Sequence, residues 1–417
     1  MGTSGMKFNV IVASPVWSLN GVNIFSANLV RELCQRGIPA HILLTQAHIP
    51  DSKPMQRPTD IPIHHLPVRP DELFGVRWKA MIQYLEERAP CIYIPNYDFE
   101  HSCISPKLSK RVGVVGVVHS DDPQHYEHVG RLGKYWNKIV CVSQTVADGT
   151  VERNPELRDR VTTIPIGVSI PDIEPQRTWE PNEPLKVLYA GVFRQSQKRI
   201  LDLPQIVQRC LELNVPIHLT IAGGGPDQQA LVDACQPLVE QELIKFIGIV
   251  PHAQMPELLK QHDVFIMTSA FEGMPNALIE AMGQGCIPVA TNIKSGIPEL
   301  VKDGVNGFLV EVGDVDAFAQ RFATLQKDVS LRERFSEQAY QTVDRGHYRI
   351  RDMVDRYLEV FEQAFQEVEM GTYQRPHANI LLPAHMKPLW KHYLPSPVFG
   401  LGKQCKQTFN KLMPFTS

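Results

Sequence analysis

Thr268-Ser-Ala-Phe-Glu-Gly-Met-Pro-Asn-Ala-Leu-Ile-Glu-Ala-Met-Gly-Gln-Gly-Cys-Ile-Pro-Val-Ala-Thr291 follows the apolar run Val264 to Met267 and reads as a loop, a short helix and a second buried strand. Short continuous apolar runs separated by helical patterns are the signature of a parallel sheet buried on both faces. The same plan extends in both directions. Further expected strands in the second half are Lys186 to Ala190, His218 to Ala222, Lys245 to Ile247, Ile287 to Ala290 and Gly307 to Val310. In the first half they are Phe8 to Ala13, His41 to Thr45, Cys91 to Ile94, Val112 to Val118, Lys138 to Val142 and Val161 to Ile164. The expected fold class is α/β, with two doubly wound Rossmann-like domains.

The length of 417 residues supports two such domains. We expect an N-terminal domain over 1–170, a linker over 171–184 punctuated by Pro171, Pro175, Pro181 and Pro184, a second domain over 185–350, and a long helix over 351–370 marked by Val354, Tyr357, Phe361 and Phe365. Two sheets of this kind can face a cleft lined by the carboxyl ends of their strands. Ile49 to Pro70 reads as a proline-rich surface loop carrying His64-His65, with an acceptor-side role as the alternative.

A net charge of -3 gives no electrostatic reason to bind nucleic acid. That total conceals a division: residues 371–417 contain six Lys or Arg and no Asp or Glu, leaving 36 basic against 45 acidic residues in the body. Trp390, Tyr393, Phe399, Phe409 and Phe415 interleave with these cations. Such a tail suits peripheral contact with an anionic membrane, or packing back on the protein. The eight cysteines show no C-x-x-C pair and read as reduced thiols. No segment approaches the roughly 20 apolar residues of a membrane helix, so the expected location is cytoplasmic, at the inner face of the membrane where the tail engages it.

Glu272 and Glu280 stand eight positions apart, flanking the start of the short helix. Asn276 is placed to cap that helix, whose N-terminal N–H groups and dipole favour a phosphate. Carboxylates on either side can accept hydrogen bonds from sugar hydroxyls. In this setting the stretch resembles the most specific motif of the retaining glycosyltransferases of family 4, which have the GT-B fold. The resemblance runs in order over about residues 7 to 365 and is strongest from Lys186 to Val310.

That resemblance implies a role for each matching residue. Glu272 contacts donor-sugar hydroxyls and Glu280 the ribose, while backbone amides of Gly273, Met274, Pro275 and Asn276 border the sugar and diphosphate, Pro275 contributing shape rather than an N–H. Gly223, in Ala222-Gly-Gly-Gly-Pro-Asp227, and Ile249, in Gly248-Ile-Val-Pro251, fall in donor-binding loops. Gly21 is the one glycine kept of a pair that faces the diphosphate. His119, after the Val112 to Val118 strand, becomes an active-site residue, with Asp121 and Asp122 as helix-capping candidates. Lys198 matches the phosphate-binding lysine; Val192 replaces the usual arginine, for which Arg194 is the candidate substitute.

Other patterns read as structural. Pro226 breaks any G-x-G-x-x-G in the glycine run, Asp314 suits a helix N-cap better than a metal ligand, and His64-His65 lacks a third ligand. No metal and no cofactor are expected. The expected activity is transfer of a hexose, with retention, from a nucleotide diphosphate sugar to an acceptor hydroxyl on a glycan or lipid. Alternatives are a sugar-nucleotide epimerase or phosphorylase of the same fold, or a catalytically weak nucleotide-sugar-binding subunit.

Overall fold

A computed structural model describes residues 8–18, 20–46, 57–69, 72, 74–96, 99–181 and 183–380. Residues 381–417, most of the acid-free tail, lie outside them, as do 49–56 and 70 of the proline-rich loop. The described strands are β1 (Asn9–Ser14), β2 (Ala40–Leu44), β3 (Ile63–His65), β4 (Cys91–Ile94), β5 (Val112–Val118), β6 (Lys138–Cys141) and β7 (Val161–Thr163), then β8 (Leu185–Val192), β9 (Ile217–Gly224), β10 (Ile244–Gly248), β11 (Val264–Met267), β12 (Ile287–Thr291) and β13 (Phe308–Val310).

Two sheets result, ordered β3-β2-β1-β4-β5-β6-β7 and β10-β9-β8-β11-β12-β13. The pairs of β1 with β2 and β4, and of β8 with β9 and β11, are parallel. Each order reverses at its first strand, the arrangement of a doubly wound Rossmann sheet. Every residue of β5, β11 and β12 is buried, which is why these strands read as unbroken apolar runs.

The described chain forms two compact units. One holds the residues up to Val117, Glu127–Ile139 and those from Glu359 onward; the other holds Val118–Tyr126 and Val140–Leu358. In the second, Val187, Tyr189, Phe193, Ile266 and Val289 pack with Phe318 and Phe322. Residues 171–181, 183 and 184 carry neither helix nor strand. Helix Ile350–Met370 buries Val354, Tyr357, Phe361 and Phe365, and the last two rings lie 6.5 and 5.0 Å from Phe8.

Two expectations change. The proline-rich loop is not wholly irregular, because Ile63–His65 forms an edge strand paired in parallel with β2. Three residues with one partner and an exposed side present no run long enough to read as a strand. His64 stacks on His41 at 4.2 Å, and its Nδ1 lies 2.7 Å from the Tyr84 hydroxyl. The tail's root also packs on the protein: the Tyr373 hydroxyl donates to the Lys134 carbonyl. Arg375 donates to the carbonyls of Tyr135 (2.9 Å), Leu108 (3.0 Å), Ser109 (2.6 Å) and Val112 (2.7 Å).

Candidate functional site

Lys198 and Glu272 meet beyond the carboxyl ends of β8 and β11, the neighbouring strands at which the second sheet reverses its order. Open α/β sheets bind ligands at this position. Glu272 is 6% exposed, and its Oε1 accepts from both Lys198 Nζ and Ser269 Oγ (2.7 Å). The short helix Gln195–Lys198 delivers the lysine. Its first N–H donates to Asp227 Oδ2 (2.7 Å), and Arg199 ends it in a left-handed conformation at φ 47°. Thr268 Oγ1 then donates to the Lys198 carbonyl and the Ala270 N–H to the Gln197 carbonyl, both at 2.7 Å. The charged pair is thereby fixed from both sides by backbone contacts.

The next turn corrects the expected cap. Helix Asn276–Gly283 begins at Asn276 with Pro275 in the cap position, so Asn276 stands inside the first turn. Proline has no side-chain acceptor for the helix N–H groups, and its fixed φ suits an extended entry. Glu280, on the same helix, has Oε1 2.8 Å from His252 Nε2. Met274 is buried. The Gly273 carbonyl accepts from the Gly296 N–H (2.6 Å), and Gly273 forms an antiparallel bridge with Ser120.

That bridge brings His119 beside the Glu272 loop. A Cβ on residue 273 would fall 2.0 Å from the His119 carbonyl oxygen, so only glycine fits. Burial, with a smaller contribution from the His125 charge, holds the His119 imidazole down at about 3 against an ordinary value of 6.5. A neutral ring at the site offers hydrogen bonds without adding positive charge. Burial followed by the Glu272 charge raises the Tyr189 phenol, so it stays protonated; its hydroxyl donates to the Val192 carbonyl (3.1 Å).

The structure distributes the remaining residues unevenly. Gly223, at φ 137°, lets β9 pass close to β8: a Cβ there would fall 1.9 Å from the Gly191 carbonyl. Ile249 is 62% exposed and borders Gly224, whose added Cβ would meet it at 3.3 Å. Arg194 is exposed, and its carbonyl accepts the Lys198 N–H (2.7 Å). Arg199 is committed to Asp202 through bonds of 2.8 and 3.1 Å. Gly21 belongs to the other unit, where it opens helix Gly21–Gln35 after the Asn20 cap.

Asp122 accepts the Gln124 N–H and Asp314 the Ala317 N–H, both as helix caps. Among the described residues no group of three or more His, Cys, Asp or Glu is arranged to hold a metal ion. Reading the sequence missed His252 and Ser269, although one directly follows the Gly248 to Pro251 segment and the other lies three residues before Glu272.

Comparison with known proteins agrees with this architecture. Residues 172–342 match the family model for glycosyl transferases group 1, and residues 19–170 match that for glycosyltransferase family 4. The putative colanic acid biosynthesis glycosyltransferase WcaL of Escherichia coli K12 is 30% identical over 179 residues, covering 41% of this chain and 43% of WcaL. The chain thus spans less than half the length of that curated relative. Among solved structures, a variant of S. aureus TarM in complex with fondaparinux, alpha-GlcNAc-glycerol and UDP superposes with a TM-score of 0.69 at 13% identity, over 85% of this chain and 99% of TarM. HepE of Anabaena in complex with UDP gives 0.67 at 16% identity, over 85% of this chain and 100% of HepE. The two family models follow one another along the chain, the first covering β2 to β7 and the second β8 to β13; the chain belongs to the group 1 glycosyl transferases of glycosyltransferase family 4, with the GT-B fold.

Proposed function

We propose that this protein transfers a hexose from a nucleotide diphosphate sugar to a hydroxyl of a glycan or lipid-linked acceptor, with retention at the anomeric carbon. The Lys198–Glu272 pair at the switch point of β8 and β11 carries this reading. Glu272 accepts from donor-sugar hydroxyls, Lys198 and the start of helix Asn276–Gly283 face the diphosphate, and Glu280 meets the ribose, with Ile249 beside the base. UDP in the TarM and HepE complexes supports a nucleotide-linked donor.

No side chain is assigned as a covalent nucleophile. In the proposed step the bond from the anomeric carbon to the diphosphate oxygen breaks and the acceptor oxygen bonds on the same face. The acceptor proton passes to the departing diphosphate. Lys198, with Arg194 as the second cation, stabilises the charge that develops there. His119, neutral and beside Gly273, donates or accepts a hydrogen bond at the sugar.

The test is incubation with UDP-, GDP- and ADP-hexoses labelled in the sugar, followed by NMR of the anomeric proton in the product. Transfer with retained configuration supports the reading. Val192, 38% exposed where the resembled family has arginine, favours a binding subunit instead. Donor binding without transfer to any acceptor or water would establish that rival.

We also assign the acid-free tail to an anionic membrane surface. Residues 381–417 hold five lysines among five aromatic residues, and each lysine near such a surface contributes about 1 kcal/mol. No helix among the described residues is long and apolar enough to cross a membrane. Deletion of 381–417 is expected to abolish cosedimentation with phosphatidylglycerol vesicles; unchanged cosedimentation contradicts the assignment.

A further inference from the structure

Glu299 lies outside the residues placed at the donor, yet both its carboxylate oxygens are engaged. Oε2 accepts the Gln144 N–H (3.2 Å), and Oε1 accepts the Thr145 N–H (2.9 Å). Thr145 Oγ1 stands 3.0 Å from the same Oε1 and 3.2 Å from the Ser295 carbonyl. Gln144 and Thr145 open helix Gln144–Arg153, whose Ser143 cap accepts the Val146 N–H (3.2 Å). The first three N–H groups of that helix are therefore satisfied, two of them by a carboxylate more than 150 residues away along the chain. A negative charge at a helix N-terminus is favourable in its own right.

Glu299 has little freedom to be elsewhere. It sits in the four-residue helix Ile297–Leu300, whose Ile297 and Leu300 are buried and whose Ile297 N–H donates to Ser295 Oγ (3.1 Å). Immediately before that helix, the Gly296 N–H donates to the Gly273 carbonyl (2.6 Å). Gly273 in turn bridges Ser120, which follows His119. The circuit closes within the same unit, since the Val142 N–H, one residue before the Ser143 cap, donates to the Val118 carbonyl (3.2 Å). Two tethers thus hold the Glu272 loop within the second unit: Ser120 to Gly273, and Glu299 to the Gln144–Thr145 turn.

Resting on the donor site proposed above, we infer that Glu299 is a positioning residue which fixes the loop Glu272–Asn276 in register with His119. A single bridge at Gly273 leaves that loop able to pivot about Ser120. The second tether removes the pivot. Displacement of about 1 Å at a reacting centre is enough to cost on the order of 100-fold in rate. A residue acting this way alters the reaction step while leaving nucleotide binding largely intact, because Glu280 and His252 stand outside the circuit.

The experiment compares the full chain with Glu299→Gln, Thr145→Val and the double variant. UDP-glucose, UDP-galactose and GDP-mannose serve as donors in a steady-state assay of nucleotide release, and hydrogen exchange of residues 119–120, 143–146 and 271–276 is followed in the free proteins. In Glu299→Gln the amide nitrogen cannot accept an N–H, so one arm of the fork is lost. The expected result is a fall in kcat of at least about tenfold with KM changed less than about threefold, and faster exchange confined to those three segments. Thr145→Val shows a smaller change of the same kind, and the double variant is no worse than Glu299→Gln, since both act on one link. A kcat within about twofold of wild type, or a fall accompanied by an equal rise in KM, overturns the inference. Should Glu299→Gln not fold, Thr145→Val decides by the same criteria. If wild type turns over no donor, the proposed activity fails separately, and unchanged exchange at 271–276 in a folded Glu299→Gln protein still overturns the role of Glu299.

Discussion

The carbonyl oxygen of His119 occupies the space that a side chain on Gly273 would need, with an added Cβ only 2.0 Å away. Both partners in that contact are backbone, so no rotamer change relieves it. Gly273→Ala must push the Glu272 loop away from His119 and Ser120. The expected outcome is a loss of about 1 to 3 kcal/mol in denaturant unfolding, the usual cost of overpacking, together with a drop in kcat/KM for donor turnover. Wild-type stability in Gly273→Ala contradicts the contact.

Among the described residues Lys198 is the cation bonded to the nearly buried Glu272 carboxylate, so Lys198→Met leaves Glu272 with Ser269 as its donor. A charge stranded in this way destabilises a protein by about 3 kcal/mol. Lys198→Met/Glu272→Gln removes both charges and is expected to regain most of the lost stability while remaining inactive. Thermal unfolding and donor turnover on the same samples check the two halves of this prediction.

Glu280→Ala should weaken nucleotide binding by at least about tenfold, the scale of one lost charge-assisted hydrogen bond. His252→Ala should weaken it less, because His252 orients Glu280 from 2.8 Å. Calorimetry with UDP and GDP measures both.

Two imidazoles held below their ordinary value make stability acid-sensitive. His119 is held at about 3, and His41 at about 4 through burial first and then the charges of His64 and Arg88. Each folded value lies below the unfolded 6.5, so their stabilising effect is complete above pH 6.5 and is lost as the pH falls toward 4 and 3, while the unfolded chain takes up protons first. Below pH 6.5 each contributes up to about 1.4 kcal/mol per pH unit. His119→Asn should flatten the decline between pH 6 and pH 4 in denaturant unfolding; an identical slope argues against a ring held neutral in the folded protein.

Arg375 lies among four carbonyls and Asn137 Oδ1, and burial lowers its guanidinium to about 10. Arg375→Ala should cost about 2 kcal/mol or more. Arg375→Lys recovers only part, since an ammonium lacks the planar fork. Urea titration of the three proteins supplies the values.

Residues buried on both faces wrote themselves plainly into the sequence. Cys91–Ile94, Val112–Val118 and Val264–Met267 are read to the residue because each apolar run is bounded on both sides by proline or a polar residue. Ile63–His65 was illegible, being short, on an edge and exposed on its two histidines. At the site, Glu272 and Glu280 were readable from their setting, whereas most of their partners were not. Ser269 and His252 went unread; Lys198 was named through the resemblance, but its pairing with Glu272, 74 positions away, like that of His252 with Glu280, 28 away, has no periodic signature. Glu299 was invisible for the same reason, and Arg375 read as one more tail cation until its carbonyl cage was seen.

The central claim is that Lys198 and Glu272 form a nucleotide-sugar site, and calorimetric titration tests it most directly. UDP-, GDP- and ADP-hexoses are titrated into wild type, Lys198→Met and Glu272→Gln, with folding checked by circular dichroism. At least one donor should bind wild type and lose at least about tenfold in affinity in both variants. Equal affinity in folded variants, or no binding of any donor to wild type, would contradict the account.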